Sequence, residues 1–274
     1  MTLSFNQGRY LERAIRSVLG QRPGVDLEYI VVDPGSKDGS REIIERYRSS
    51  IDHVVTTPDA GPADGLNKGL ALCTGDLFGY LNADDTLLPG ALRSVVDAFQ
   101  ARPRADVVHA HGYLTDSNDR ILRRCYADRY SVRMAARGLA FVLQPSTFFR
   151  RRALQLTDGF NVENRIAWDA ELLLDMALRG ARIERIDAYW STFRLHPEGI
   201  TGSGSHADAH TAFLRRMFRR VHGRDGGPAD ALATLGLRVL KHLSHPRAAI
   251  ERLRFGPVSG REIRVEAGPG SATD

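Results

Sequence analysis

The sequence predicts an α/β protein in which helices cover both faces of a central, mostly parallel sheet. Short apolar segments rich in β-branched residues alternate with segments whose apolar residues recur at helical spacing. Two of the apolar segments end directly on carboxylates, at Asp33 and at Asp84 with Asp85. Alternating strands and helices imply crossover connections, which make neighbouring strands parallel. We therefore expect these acids to meet at the carboxyl edge of one sheet, where α/β proteins bind ligands.

The individual elements follow from local patterns. Gly20 and Pro89 are typical of a helix end and a helix start, and the polar turn at 116–119 predicts an antiparallel hairpin. The predicted strands are the end of a first strand at Leu3, then 28–33, 53–56, 76–81, 106–111 and 144–149, and two strands between 182 and 196. The predicted helices are 10–19, 40–47, 63–73, 89–99, 150–156, 169–179, 213–221 and 229–243, with another from Pro246.

Composition divides the chain into three parts. Residues 1–204 form the predicted α/β domain, 205–255 a basic helical extension, and 256–274 a segment rich in Gly, Pro and Ser in which we expect little order. From Ser205 onward there are twelve Arg and Lys against seven Asp and Glu, so the net charge of +5 belongs to this end of the chain. A charge-balanced body argues against a nucleic acid as partner.

The basic helix at 213–221 has two interpretations. It lies on an anionic membrane surface, or it packs its apolar side on the body with its arginines in water. The sequence contains no apolar run of about 18 residues and no signal peptide, which predicts a cytoplasmic location, with at most peripheral membrane contact. Cys73 and Cys125 lie far apart without a Cys-x-x-Cys spacing, so we expect neither a zinc site nor a disulfide framework.

Several candidate site residues also have a purely structural explanation. Asp84 and Asp85 fit a turn, and Asp169 fits the first turn of a helix, where carboxylates cap N–H groups. Lys68 fits a solvated helix surface. The glycines of segment 34–40 make a good turn, although they also permit a phosphate to approach the helix that follows. The functional interpretation therefore depends on several motifs together.

Together these motifs resemble the family 2 glycosyltransferases over about Leu3 to Thr201. The resemblance implies a nucleotide-diphospho-sugar transferase fold of the first type, GT-A. The residues on which the resemblance rests are Ser4-Phe5-Asn6-Gln7, the run Ile30 to Ser40, Asp59-Ala60-Gly61 with Asp64 and Asn67-Lys68-Gly69, Leu81-Asn82-Ala83-Asp84-Asp85, and Trp168-Asp169-Ala170-Glu171-Leu172.

The resemblance assigns roles to these residues. A nucleotide diphosphate is anionic, so an acidic cluster can approach it only through a divalent cation, here Mg²⁺ or Mn²⁺. Asp84 and Asp85 look like the metal anchor, with Asn82 in place of the first acid of an Asp-x-Asp motif, and His196 matches a position that assists the metal. Asp33 would bind the base or ribose of the donor. Ser4, Asn6 and Lys68 would line the same pocket.

The resemblance also implies the reaction. Asp169 is the expected base that takes the proton from the acceptor hydroxyl, and a single displacement inverts the anomeric centre. The acceptor would be a glycan or a lipid-linked sugar, as in cell-surface polysaccharide assembly.

One departure from the family concerns the first strand. Family members usually begin several residues earlier, so either translation starts upstream of Met1 or the sheet loses much of an inner strand. In the second case the chain could be an inactive sugar-nucleotide-binding or scaffold protein. A glycoside hydrolase would need two carboxylates and no metal. A dinucleotide-dependent oxidoreductase is disfavoured, because no Gly-x-Gly-x-x-Gly follows a strand.

Overall fold

The computed structural model describes residues 1–197, 199 and 207–256 and confirms the α/β fold. The strands are β1 Thr2–Leu3, β2 Ile30–Val32, β3 His53–Val55, β4 Leu77–Gly79, β5 Leu81–Asn82, β6 Thr86–Leu87, β7 Val107–Thr115, β8 Ile121–Cys125, β9 Thr147–Arg150 and β10 Ile183–Arg194. The α-helices are α1 Gly8–Leu19, α2 Ser40–Arg46, α3 Pro62–Leu70, α4 Ala91–Ala101, α5 Val132–Ala135, α6 Arg151–Leu154, α7 Trp168–Leu178, α8 Ala207–His222, α9 Pro228–Ser244 and α10 Pro246–Phe255.

The first sheet contains the parallel strands that the sequence predicts. Its order is β3-β2-β1-β5, and all three pairings are parallel. β1 lies in the interior of this sheet, with Leu3 opposite Val32 on one side and Asn82 on the other. The short first strand is therefore paired on both edges.

The second sheet has the order β4-β9-β7-β10-β6, and β8 pairs with β7. Only β7 and β10 run parallel in it, and the hairpin predicted at 116–119 joins the antiparallel pair β7 and β8. The segment 76–81, predicted as one strand, is divided at Tyr80. β4 pairs antiparallel with β9, whereas β5 pairs parallel with β1, so the chain passes from one sheet to the other at this residue.

Two further predicted elements differ from the structure. The two strands expected between 182 and 196 are one long strand, β10, because register irregularities between Arg185 and Ser191 let it bend without ending. Residues Gln144–Ser146, predicted as the start of a strand, form a 3₁₀ turn. Pro145 has no N–H to donate to a neighbouring strand, which favours the turn.

Helices cover both faces of the sheets, as predicted. One core packs α1 and α4 against the strands through Leu11, Ile15, Phe99 and Trp190. The core on the opposite side brings α3 and α7 together through Leu66, Leu172 and Met176, among other residues. In this layer α3 also packs directly against β1 and β2.

The C-terminal helices pack on this body. Phe213 and Met217 of α8 are buried against Ala167 and Leu174. Of the two interpretations of this basic helix, the structure therefore has the one in which its apolar side packs on the body. Residues 257–274, which include nearly all of the segment expected to have little order, lie outside the described part of the chain.

A nearly buried carboxylate holds α9 and α10 to the body. Asp128 is 3% exposed; its two oxygens lie 2.7 Å from Lys241 Nζ and 2.9 Å from Arg252 Nη2. The N–H of Phe141 also donates to Asp128. One acid from the body therefore pairs with one base from each helix, and this fixes which sides of the two helices point outward.

We expect Asp128→Asn to destabilise the fold by about 3 kcal/mol, because it leaves two partly buried cations without their counter-charge. At roughly 2–4 °C per kcal/mol, thermal unfolding will show a clearly lower midpoint. The matched control is Asp97→Asn, which breaks the exposed pair with Arg93 and should change stability by less than about 1 kcal/mol. Equal midpoints for the two variants would contradict the role of Asp128.

Candidate functional site

The site begins where three neighbouring strands of the first sheet end. Because Leu3 lies between Val32 and Asn82, the next residues Ser4, Asp33 and Ala83 stand side by side at the carboxyl edge. Two strand spacings separate the outer pair, about 10 Å. Two of the predicted site residues are therefore brought together as expected, and both Ser4 and Asp33 are fully buried.

Asp33 is held by the loop that follows β2. Its Oδ1 accepts hydrogen bonds from the N–H groups of Gly35 at 3.0 Å and Ser36 at 2.7 Å. Gly35 has a φ of 135°, which suits glycine. The other carboxylate oxygen, Oδ2, is buried and has no partner among the described residues. The loop thus orients Asp33 and leaves one oxygen available.

Asn6 fastens the loop after β1 to the loop after β2. Its N–H donates to Ser36 Oγ at 2.7 Å, and its Oδ1 accepts from the N–H of Lys37 at 2.9 Å. The left-handed backbone of Asn6, with a φ of 51°, allows both bonds. The amide group therefore shapes the rim of the site, and Asn6 itself remains exposed.

Lys68 lies in the last turn of α3 and is committed to local partners. Its Nζ donates to the carbonyl of Pro58 at 2.6 Å and lies 2.9 Å from Asp64 Oδ2. Nearby Asp59 has a raised pKa because it is partly buried, and the charge of Lys68 opposes this rise. Lys68 therefore carries its charge at the edge of the pocket, already paired with one acid.

The two adjacent acids after β5 have different partners. Asp84 Oδ2 lies 2.9 Å from His196 Nε2, and its Oδ1 is buried without a partner among the described residues. Asp85 is 1% exposed and accepts the N–H of Arg194 at 2.9 Å through Oδ1. Burial raises the pKa of Asp85, and the carboxylate of Asp84 raises it further.

Arg194, the last residue of β10, binds the loop that contains Asp84 and Asp85. Its Nε donates to the carbonyl of Asp84 at 2.7 Å, and its Nη1 donates to the carbonyl of Asp116 at 2.8 Å. Nη2 pairs with Asp119, and the side chain is fully buried. The guanidinium also lies over the ring of Tyr10, 4.8 Å from its centroid. No local sequence pattern distinguishes Arg194 as a site residue, because its partners lie far away in the sequence.

Asn82 has an amide partner in the 3₁₀ turn before β9. Its Nδ2 donates to Gln144 Oε1 at 3.3 Å, and Gln144 Nε2 in turn donates to the carbonyl of Tyr80 at 2.8 Å. Both bonds use N–H groups, so the Oδ1 of Asn82 is not required by either. This oxygen is the atom that a hard cation would use.

Asp169 lies in the first turn of α7, and its charge reaches the phenol of Tyr80. Burial raises the pKa of Asp169, and the N–H groups of Asp169 and Ala170 offset only part of this rise. The pKa of Tyr80 is raised by burial and then by the nearby charges of Asp169 and Asp85. One phenol thus lies within electrostatic range of both carboxylates.

The donor atoms at this edge suit a cation only in part. No three His, Cys, Asp or Glu side chains in the described part of the chain are arranged as a complete metal site. Yet Asp84 Oδ1, Asp85 Oδ2, Asp33 Oδ2 and Ser4 Oγ are buried polar atoms without partners in that same part. Such atoms are rare and costly unless a ligand satisfies them. Mg²⁺ is commonly held by one or two carboxylates, with substrate phosphates and water completing its shell.

A network of ion pairs connects the helix of Asp169 to α8. Glu171, 5% exposed, accepts hydrogen bonds from the amides of Asn161 and Asn164 at 3.2 and 2.7 Å. Arg216 and Arg220 of α8 lie 2.7 and 3.3 Å from its carboxylate oxygens. The sequence marks Glu171 only by its place in the Trp168–Leu172 motif, and its partners from the far end of the chain could not be found from local patterns.

Parallel strands whose carboxyl ends carry buried acids, at the edge where α/β sheets bind ligands, are typical of an α/β enzyme. The family model described as "Glycosyl transferase family 2" matches residues 2–160, more than half of the chain. The chain belongs to this family and is a glycosyltransferase.

Relatives of known sequence agree with this family. An uncharacterized glycosyltransferase of Nostoc sp. is 29% identical over 222 residues, which are 76% of this chain and 66% of that protein. The chondroitin synthase of Escherichia coli is 28% identical over 178 residues, or 62% of this chain and 25% of the synthase. The chain thus matches only about a quarter of that larger enzyme.

Solved structures agree on the fold, which is of the GT-A type. TarS of S. aureus (residues 1–349, with UDP-GlcNAc) superposes with a TM-score of 0.65 at 19% identity, covering 89% of this chain and 72% of that one. The mannosyltransferase PcManGT of Pyrobaculum calidifontis, solved in complex with GDP-Man and Mn²⁺, superposes with a TM-score of 0.61 at 18% identity. The match covers 99% of this chain and 75% of that one.

We expect the double substitution Arg216→Ala with Arg220→Ala to destabilise the protein by about 3 kcal/mol, because it leaves the carboxylate of Glu171 buried without a counter-charge. Denaturant unfolding measures this directly. The control is Arg215→Ala with Arg219→Ala on the same helix; among the described residues, Arg219 pairs only with the exposed Asp225. The control variant should lose less than about 1 kcal/mol of unfolding free energy. Equal losses of stability in the two double variants would argue against the network.

Proposed function

We propose that this chain moves a sugar from a nucleoside-diphosphate donor to a hydroxyl group of a glycan or lipid-linked acceptor, with inversion at the anomeric carbon. One observation carries the proposal: carboxylate oxygens of Asp33, Asp84 and Asp85 are buried at the ends of β2 and β5 without partners among the described residues. The charges of Asp169 and Asp85 both reach the phenol of Tyr80, which supports Asp169 as a further acid of the site. A related protein is a chondroitin synthase, and structural neighbours were solved with UDP-GlcNAc and GDP-Man. These support polysaccharide assembly and a nucleotide sugar. We further propose that the enzyme acts in the cytoplasm.

In this proposal the donor nucleotide binds across the ends of β1 and β2. Asp33 Oδ2 accepts a hydrogen bond from the base or ribose, which satisfies an oxygen that lacks a partner in the described part of the chain. Ser4 Oγ, likewise without a partner there, lines the same edge, and Asn6 holds the two loops around it. Lys68, near Asp59 and Asp64, contributes positive charge at the rim.

The diphosphate would meet Asp84, Asp85, Asn82 and His196. Asp84 and His196 already form a pair, with Asp84 Oδ1 still available, and the Oδ1 of Asn82 and Oδ2 of Asp85 are the further oxygens. When bound, Mg²⁺ or Mn²⁺ would neutralise charge that grows on the departing diphosphate. The neighbour solved with GDP-Man also contains Mn²⁺, which supports a divalent cation here.

Asp169 takes the proton of the acceptor hydroxyl as that oxygen attacks the anomeric carbon. A base of this kind must be ionised to act, and it is most effective when its pKa is not far below the working pH. Burial raises the pKa of Asp169 in that direction. Because a single displacement forms one bond while the other breaks, the product has the opposite anomeric configuration from the donor.

The test of this function is a screen of UDP- and GDP-sugars, with free nucleoside diphosphate as the readout, in the presence of Mn²⁺ or of a chelator. We expect metal-dependent release with one donor class. Donor binding without release would favour an inactive binding protein. Failure to bind any donor, together with metal-independent release of free sugar when a glycan is supplied in its place, would favour a hydrolase. Either result would replace the proposal.

We expect Asp169→Asn to lower kcat by about 10²–10⁴-fold, because the amide cannot accept the proton, while the donor Kd changes little. In the parent enzyme, kcat should rise as the pH passes upward through the raised pKa of Asp169, since only the ionised form acts. The inflection should lie above the usual value of about 3.9, and the variant should lack this limb. Steady-state kinetics over pH, with calorimetry for donor affinity, measures both; unchanged turnover in the variant would refute the assigned base.

We expect Asp84→Ala to weaken donor binding in the presence of Mn²⁺ by about tenfold or more, to the level that the parent protein shows with a chelator. His196→Gln should have a smaller effect in the same direction. The control is Asp158→Asn, an exposed acid in the turn before α7. Titration calorimetry with UDP or GDP gives the affinities. Metal-dependent binding that survives in Asp84→Ala would remove this residue from the cation site.

A further inference from the structure

The last two helices carry a concentration of exposed apolar side chains. Of the fourteen large hydrophobic residues exposed in the described part of the chain, eight lie on α9 and α10. Buried apolar surface is the main source of stability in a folded protein, so a row of leucines in water needs an explanation. The eight residues are Leu232, Leu235, Val239, Leu240, Leu243, Ile250, Leu253 and Phe255.

The apolar row on α9 points away from the protein. At 100° per residue, Leu232, Leu235, Val239 and Leu243 form one stripe along the helix. These four are 72%, 56%, 52% and 72% exposed. The opposite side of α9 contains Lys241, which bonds to Asp128 and to the carbonyl of Leu139. The helix is therefore anchored by its polar side, the reverse of an ordinary surface helix.

α10 continues the outward surface. Ile250 and Leu253 are 64% and 85% exposed, while Ala248 is buried and Arg252 binds Asp128 on the inner side. We call the seven outward aliphatic residues of the two helices, from Leu232 to Leu253, the outer stripe. Asp128 thus orients both helices so that the stripe faces solvent.

The charges around the outer stripe have one sign. Arg238, Arg247 and Arg254 are exposed and pair with no acid among the described residues. The acids of the two helices are occupied elsewhere: Asp230 pairs with Arg224, and Glu251 accepts the N–H of Arg124. An apolar stripe that carries three exposed arginines without acidic partners among the described residues suits an anionic surface.

We propose that the outer stripe docks the enzyme on an anionic lipid bilayer, with Leu and Ile side chains in the headgroup–acyl boundary and arginines against lipid phosphates. The proposed membrane contact thus lies on α9 and α10. It does not lie on the basic helix α8, whose apolar side is buried on the body. α9 is 17 residues long, about 25 Å, and lies on the surface rather than crossing it. No helix in the described ranges is long and apolar enough to span a membrane.

Charge favours a bilayer over a second copy of the chain. A twofold dimer through the stripe would bring together two copies of the same surface, each with the exposed arginines Arg238, Arg247 and Arg254. Like charges brought together at an apolar interface are unfavourable. An anionic headgroup layer contributes the opposite charge at each of these positions.

The test is co-sedimentation of the full chain, without donor, with vesicles of phosphatidylcholine alone or mixed with phosphatidylglycerol. We expect binding to the mixed vesicles that weakens with added NaCl. The triple substitution Leu232→Ser, Val239→Ser and Leu243→Ser should lower the partition coefficient by about tenfold or more. Arg247→Gln and Arg254→Gln should each lower it by about fivefold.

A matched control has the same chemistry on other surfaces. Ile121→Ser, Val162→Ser and Leu178→Ser replace three exposed aliphatic residues outside α9 and α10 and should leave vesicle binding unchanged. Because every stripe residue is exposed, the circular dichroism spectrum and unfolding midpoint of the triple variant should match those of the control.

Four outcomes would overturn the proposal. Two concern the vesicles: equal binding by the stripe and control variants, and equal binding to neutral and anionic vesicles. The third is a dimer in light scattering that only the stripe variant converts to monomer. The fourth is vesicle binding that appears only when residues 257–274 are removed. The last two would assign the stripe to a second copy or to the end of this chain. No donor is present in the assay, so each outcome leaves the sugar-transfer proposal intact.

Discussion

The guanidinium of Arg194 is the interaction on which the candidate site most depends. It is fully buried, and it bonds both the carbonyl of Asp84 and the hairpin loop at Asp116 and Asp119. Antiparallel pairing of β10 with β6, in which Thr192 lies opposite Thr86, brings this residue to the loop after β5. A buried cation of this kind is stable only with all its partners in place. It therefore fixes the positions of two adjacent carboxylates that would otherwise repel each other.

The site is built at a cost to stability. Buried oxygens of Asp33, Asp84 and Asp85 lack partners among the described residues, although buried polar groups are usually satisfied. The surrounding hydrogen bonds are placed so that one oxygen of Asp33 is held and the other remains open. A protein selected for stability alone would have apolar side chains here. The arrangement is that of a site whose ligand satisfies what the fold leaves unsatisfied.

The sequence predicted the parts of the site that local patterns encode. Asp33 and Asp84 each follow a short apolar strand, so strand periodicity alone places them at one edge of a sheet. Arg194 and the passage of the chain between sheets at Tyr80 could not be predicted, because they depend on which distant strands pair. Lys68 was found by its motif, but its bonds to Pro58 and Asp64 depend on the fold of the preceding loop. Pairings between residues far apart in sequence were thus the main limit.

The contact between Glu171 and α8 matters to anyone who trims the protein for crystallisation. A fragment that stops at residue 204 retains every acid of the candidate site, yet it loses Arg216 and Arg220 and uncovers Ala167 and Leu174. Glu171 would then keep its two asparagine donors but no cation, two residues from Asp169. The smallest well-behaved fragment should therefore extend at least through α8, to His222.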